Sequence, residues 1–308
     1  MSRSWLFALY GMLVVIWSST WVAIKIGLED CPPLLGAGIR FAAAGLVLLA
    51  IGAASGRSLR TDAKLAAILA LMPFALAYGL VYWGEQHIPS GLAAVLFGIL
   101  PLYTAMLSAA FLPDAPLRAR LIVGVLIALG GLALAFAESS ETGHDDLALV
   151  GAAALAVAPI GASVGNVSLK LRAGALDAVA LNGWAMLGGG FLLLAASGLG
   201  ESWGEAAWTA ETVGSIAYLA LIGSALPFVV LTVLLRHLSA QAMSFLAMLL
   251  PFGALVFGAA LYSEAITARA LAGAALVAVG LLVAQGLPAR RGLPEVLGVG
   301  AQEIRVRD

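Results

Sequence analysis

The sequence predicts an all-α membrane protein of ten transmembrane helices, arranged as two inverted five-helix repeats with both termini cytoplasmic. Three observations predict it. Of the 308 residues, 62% are hydrophobic and 11% charged, with a mean hydropathy of +1.03, whereas an average soluble domain is roughly half apolar and about a quarter charged. The apolar residues gather into continuous runs of about 20, the length at which a helix crosses a bilayer, rather than alternating as barrel strands do. Lysine and arginine also fall on alternate connections between the runs. The composition excludes a water-soluble enzyme. Sixteen basic residues against 17 acidic ones leave no basic surface for nucleic acid. A single cysteine, Cys31, excludes a disulfide framework and a cysteine-based zinc site.

The first run, 5–26, follows Arg3 alone. It is too long for a signal peptide and lacks a small-residue cleavage site. Asp30-Cys31-Pro32-Pro33 breaks it from the second, 34–54, which stops at Ser55-Gly56-Arg57. The third run is 65–84. The fourth, 89–111, ends before Pro113-Asp114-Ala115-Pro116, and the fifth, 117–137, before the polar stretch Ser139 to Asp146. Then come 147–169, 176–197, 213–235, 240–261 and 268–287, followed by a polar, Gly-containing tail over 288–308 that reads as mobile and cytoplasmic. With the N-terminus inside, 13 of the 16 basic residues face the cytoplasm; Lys25, Arg40 and Arg269 are the exceptions. Nine or eleven helices spoil that split.

Sliding the chain against itself divides these runs into domains. An offset of 150 lays segments 3–5 over 8–10, with Pro101 on Pro251, Asp114 on Glu264, Gly130 on Gly280 and His87 on His237. An offset of 145 lays Ser18 and Lys25 over Ser163 and Lys170. The repeats are 1–137 and 147–287. Five helices per repeat force opposite orientations, an architecture that holds a ligand near the bilayer midplane between the halves. Pro101 and Pro251 stand mid-helix at matched positions and read as hinges.

Trp17-Ser18-Ser19-Thr20 to Lys25, then Glu29, Pro32-Pro33 and Arg40-Phe41, together with Pro101, Pro251 and Glu264, resemble the EamA-type drug/metabolite transporters over about residues 5–287. Ser18 stands where that family often has glycine, and the second half has no tryptophan near Ser163. The aromatic-rich first half looks most like the aromatic amino-acid exporters. The resemblance implies a multi-pass bacterial inner-membrane exporter, monomeric in the lipid bilayer, that moves a small-molecule substrate such as an amino acid by alternating access and uses no cofactor.

Candidate site residues follow from depth and type. Trp17 and Trp21 share one helix face, as do Tyr78 and Tyr82; with Ser18 they serve either a substrate cavity or, for the shallower rings, an interfacial belt. Ser163, Asn166 and Asn182 supply polar groups from the second half, or simply bond helix to helix. Arg40 lies about two turns into its helix, near Lys25, Glu29 and Glu85. Two readings stand: it pairs with Glu29 or Glu85 in an ion pair that braces the helix ends or gates them, or it attracts a substrate carboxylate. Asp114 and Glu264 precede helices and read as caps, with gating salt bridges as the alternative. No carboxylate sits in the first helix where a proton antiporter of the related small multidrug type needs one, so the expectation is an uncoupled facilitator. A proton-coupled exporter of other substrates is the alternative. The remote one is a serine hydrolase centred on Ser163 in Gly161-Ala162-Ser163-Val164-Gly165, a nucleophile-elbow spelling set inside an apolar helix rather than a strand-turn-helix. No metal motif appears.

Overall fold

A computed structural model describes residues 3–88, 90–112, 117–135, 147–172, 174, 176–253 and 267–285. Asp114, Glu264, His144 and the tail 288–308 lie outside the described residues. The described residues fold into helices without a strand. In chain order these are α1 (Arg3–Asp30), α2 (Pro33–Ala54), α3 (Ala63–Glu85), α4 (Ser90–Phe97, resumed at Leu100–Phe111), α5 (Ala119–Ala135), α6 (Ala148–Arg172), α7 (Ala178–Gly200), α8 (Ala210–His237), α9 (Ala240–Gly253) and α10 (Ala268–Gln285). Six of them, α1, α2, α3, α6, α7 and α8, are long and apolar enough to cross a bilayer, and the other four contain shorter apolar helices. The chain is a multi-pass membrane protein.

Helix starts and stops use local chemistry outside the apolar runs. Gly56, at φ 66°, closes α2: Gly56 N–H donates to Ala53 O and Arg57 N–H to Gly52 O, each at 3.0 Å, a left-handed stop that glycine makes without a Cβ clash. Asp62 accepts from Leu65 N at 3.0 Å to start α3. Asp177 accepts from Val179 N at 2.8 Å and Ala180 N at 3.0 Å to start α7. The start of α2 is capped from a distance, by the Glu201 carboxylate on Leu34 N and Leu35 N at 2.8 and 2.9 Å.

Two helix pairs approach to glycine distance. A Cβ on Gly45 of α2 would lie 2.5 Å from Leu187 N and 2.7 Å from Gly183 O of α7; Gly38 faces Leu194, Gly183 faces Leu49, and Gly190 faces Ala42. These contacts are antiparallel and reciprocal. An offset of 145 carries Gly38, Ala42, Gly45 and Leu49 onto Gly183, Leu187, Gly190 and Leu194, so the same patch is used on both sides, as across a two-fold axis. The seam of α5 and α10 repeats the device: Gly131 faces Gly273 and Val277, and Gly280 faces Gly124 and Ala128. Here the reciprocal offset is 149, one residue short of the sequence-derived 150. Lipid offers helices no hydrophobic incentive to associate, so close backbone packing through small residues supplies it.

The same frame places two faces. Arg57 bridges Asp177 at 3.0 Å and Arg172 bridges Asp62 at 3.3 Å, and Arg236 donates to Leu176 O. On the opposite face Thr209 and Thr212 donate to Asp30, near Glu29, Glu201 and Glu205, which border an open pocket there. Partial burial pushes the Asp177 carboxyl up, but the N–H groups of Ala180 and Val179 and the Arg57 guanidinium outweigh it and hold it below the ordinary carboxylate range. A depressed folded pKa stabilises above the unfolded value and is lost as pH falls through the folded one. Asp177→Ala is therefore expected to cost about 0.5–2 kcal/mol at neutral pH. Melting curves of the two proteins in detergent should converge as the pH drops below the carboxylate range.

Candidate functional site

Two helices, α3 and α8, depart from α geometry near their centres. Ala70–Ala77 in α3 and Leu221–Ala225 in α8 are π-helical, and the offset of 150 superposes the two stretches. Pro73 sits inside the first, and Pro227 follows the second by two residues. A proline cannot donate to the preceding turn, and a π turn leaves carbonyls turned out of register, a feature frequent at functional sites.

Those carbonyls are used. Gly223 O accepts from Trp17 Nε1 at 3.2 Å and from Arg40 Nη2 at 3.4 Å. Arg40 Nε donates to Ser224 Oγ at 2.8 Å and Nη1 to Tyr82 Oη at 3.2 Å. The guanidinium carbon lies 4.9 Å from the Phe41 and Tyr78 ring centres and 5.9 Å from that of Tyr82. Arg40 is fully buried, and among the described residues its hydrogen-bond partners are all neutral. A weakly hydrated, planar cation with π faces on its flanks tolerates such a site better than an ammonium does. Lys25 donates from Nζ to the backbone oxygen of Glu85 at 3.2 Å; the Glu85 side chain is buried, and Glu29 borders the outer pocket. Lys170, the repeat partner of Lys25, caps α8 through Leu235 O and Leu238 O, both at 2.9 Å. Residue 85 maps to 235 under the 150 offset, so the two lysines close the C-terminal ends of α3 and α8, where the helix dipole favours a cation.

Below the Arg40 layer lies a cavity of about 100 Å³. Its walls come in repeat-related sets. Trp17, Thr20, Trp21 and Ile24 of α1 correspond to Ala162, Gly165, Asn166 and Leu169 of α6; Tyr78 and Val81 to Phe228 and Leu231; Phe97 and Leu100 to Ala247 and Leu250. Trp17, Phe74 and Tyr78 surround Phe228 with ring centres 5.3, 4.8 and 6.1 Å away, and Trp21 meets Phe97 edge-on at 5.9 Å.

Of the eight candidate substrate residues, Trp17, Trp21, Tyr78, Asn166 and Asn182 line this cavity and Ser18, Tyr82 and Ser163 do not. Ser18 is fully buried and packs against Gly253 of α9. Tyr82 serves Arg40. Ser163 Oγ shares a 3.0 Å hydrogen bond with Thr104 Oγ1 and donates to Leu100 O at 3.4 Å. Gly161 and Gly165 flank it where α3 crosses, against Met72 and Pro73, so the elbow-like spelling serves close helix packing. Pro101 and Pro251 are both buried and adjoin the lining residues Leu100 and Leu250; α4 breaks at Gly98 and Ile99, just before Pro101. Sequence reasoning missed Phe228, Gly223 and Ser224. Phe228 was available, since it is the repeat partner of Tyr78.

Residues 5–137 and 149–285 each match the EamA-like transporter family. The chain belongs to that family. Similar proteins include the uncharacterized transporter YoaV of Bacillus subtilis, 29% identical over 88% of this chain and 93% of its own. The uncharacterized inner membrane transporter YedA of Escherichia coli K12 is 33% identical over 76% and 74%. The protein named probable terminal-alkyne amino-acid exporter of Streptantibioticus cattleyicolor is 29% identical over 88% and 90%. A crystal structure with 21% identity superposes at a TM-score of 0.76 over 94% of this chain and 99% of that one, a likeness of fold. A transporter role, rather than catalysis, follows from the family.

Proposed function

We propose that this EamA-family member exports small, net-neutral amino acids, aromatic ones first, across a bacterial inner membrane. It works by alternating access around the central cavity, as ten transmembrane helices in two inverted repeats with both termini cytoplasmic. The pairing of repeat-equivalent residues around one cavity carries this reading, because a site on the pseudo-two-fold axis is reachable from either face when the halves rock. The reciprocal α2–α7 and α5–α10 seams and the twofold family match support the repeat. The aromatic wall supports a ring, and an amino-acid exporter stands among the relatives. The face carrying Arg57, Arg172 and Arg236 is cytoplasmic by the positive-inside rule. Cysteines introduced at 200–210 should then react with an impermeant thiol reagent from outside, and those at 56–62 should not; the reverse pattern overturns the orientation.

Transport runs downhill. Among the described lining residues there is no carboxylate, histidine, lysine or arginine, and proton coupling needs a group that titrates between the two facing states. In proteoliposomes, labelled tryptophan should show counterflow with no imposed pH difference or membrane potential. Concentrative uptake that collapses with an ionophore overturns the uncoupled mechanism and turns attention to Glu85. Trp17→Ala and Tyr78→Ala should each slow counterflow at least tenfold while the protein still inserts and melts cooperatively; unchanged counterflow in both removes the aromatic wall from the site.

A further inference from the structure

The cavity is symmetric in position and asymmetric in chemistry. Where α1 places Trp21, α6 places Asn166, and where α1 places Trp17, α6 places Ala162. Trp21 lies toward the face holding Asp30. Asn166 lies toward the opposite face, on the helix that ends at Lys170 and Arg172, and Asn182 joins it one turn into α7 from the Asp177 cap. Asn166 is 8% exposed and lines the cavity, and its side-chain amide makes no hydrogen bond with any described residue. Native structures rarely leave a buried amide unpaired, and in a membrane interior the cost is not relieved by bulk water. Asn182 is half committed. Its Nδ2 donates to Ala178 O and Thr232 Oγ1, both at 2.8 Å, which uses both amide hydrogens and leaves Oδ1 as an acceptor.

Resting on the amino-acid reading above, we infer that the site is polarised. Asn166, with the Asn182 carbonyl beside it, binds the polar end of the substrate at the Lys170–Asp177 end of the cavity, and Trp21 and Phe97 receive the apolar end at the other. The substrate therefore enters in one orientation, polar end toward the basic face. Asn166 supplies both a donor and an acceptor, which matches the paired carboxylate and ammonium of an amino acid. The Asn182 oxygen adds a second acceptor for the ammonium. Among the described lining residues no side chain is charged, so recognition is by hydrogen bonds to a molecule whose own charges offset each other.

Full-length protein purified in detergent tests this by equilibrium binding of radiolabelled L-tryptophan and of indole, the same ring without the polar end. The wild type is expected to bind tryptophan at least tenfold tighter than indole. Asn166→Leu should abolish that preference, weakening tryptophan tenfold or more and indole less than twofold, and Asn166→Ala, which adds no volume, should give the same split. Trp21→Ala should weaken both ligands by similar factors. A loss shared equally by tryptophan and indole in both Asn166 variants makes Asn166 a packing residue and overturns the inference, as does equal wild-type affinity for the two. If the wild type binds neither, the amino-acid reading itself fails and this polarity with it.

Discussion

Replacing Arg40 with alanine should lower the melting temperature by about 10 °C and stop transport. The substitution strips donors from Ser224 Oγ and Tyr82 Oη, and a buried polar group left without its partner costs about 1–3 kcal/mol. It also removes a cation seated 4.9 Å from two ring centres, an interaction worth about 2 kcal/mol when desolvated, and opens a void where a fully buried side chain stood. Against these stands the relief of no longer burying a charge, which leaves a net loss of about 2–5 kcal/mol, the range of large-to-small core truncations. In proteins of a few hundred residues each kcal/mol moves the midpoint by about 2–4 °C. Arg40→Lys should recover only part, since an ammonium has neither the fork nor the plane. The triple variant Arg40→Met, Tyr82→Phe, Ser224→Ala should regain most of the stability, because an apolar replacement strands no polar group. If it also regains transport, the Arg40 layer is structural; if it melts like the wild type yet does not transport, the layer is part of the closing machinery.

Helix existence and order were legible because bilayer physics writes them in runs of about 20 apolar residues, punctuated by proline, glycine and charge. The aromatic wall was legible too: Trp17, Trp21 and Tyr78 stood out by depth and helical spacing and do line the cavity. Arg40 was found, but not its partners. Sequence distance to Glu29 and Glu85 favoured an ion pair, while the hydrogen-bond acceptors are Tyr82 of α3 and the π stretch of α8, the latter more than 180 residues away. A π turn has no composition signature beyond a nearby proline, so the exposed Gly223 carbonyl could not be read from residue types. Ser18 and Ser163 lie off the cavity lining for a related reason. In an α-helix a shift of one residue turns a side chain by about 100°, enough to move Ser18 from the cavity beside Trp17 to the seam with Gly253. The repeat was the underused signal. Carrying Trp21 onto Asn166 and Tyr78 onto Phe228 outlines both walls from the sequence alone.

That same correspondence sets the other large effect. Ala162 is the offset partner of Trp17 and lines the cavity, so Ala162→Trp adds an indole to a space of about 100 Å³ that Trp17 and Phe228 also line. Nothing polar is lost, and the new ring lies against an apolar wall, so the melting temperature should move by only a few degrees. Substrate, however, has nowhere to sit. Counterflow should fall at least a hundredfold, equivalent to about 2.7 kcal/mol of lost binding, and Ala162→Leu should fall between this and the wild type, since the obstruction scales with volume. Helix packing alone predicts the opposite ordering of readouts: overpacked cores lose about 1–3 kcal/mol of stability while the pathway, being elsewhere, keeps working. Tryptophan counterflow and thermal melting measured on the same preparations separate the two. Full transport by a stable Ala162→Trp protein places the pathway outside this cavity, and the roles assigned to Trp17, Tyr78 and Asn166 fall together.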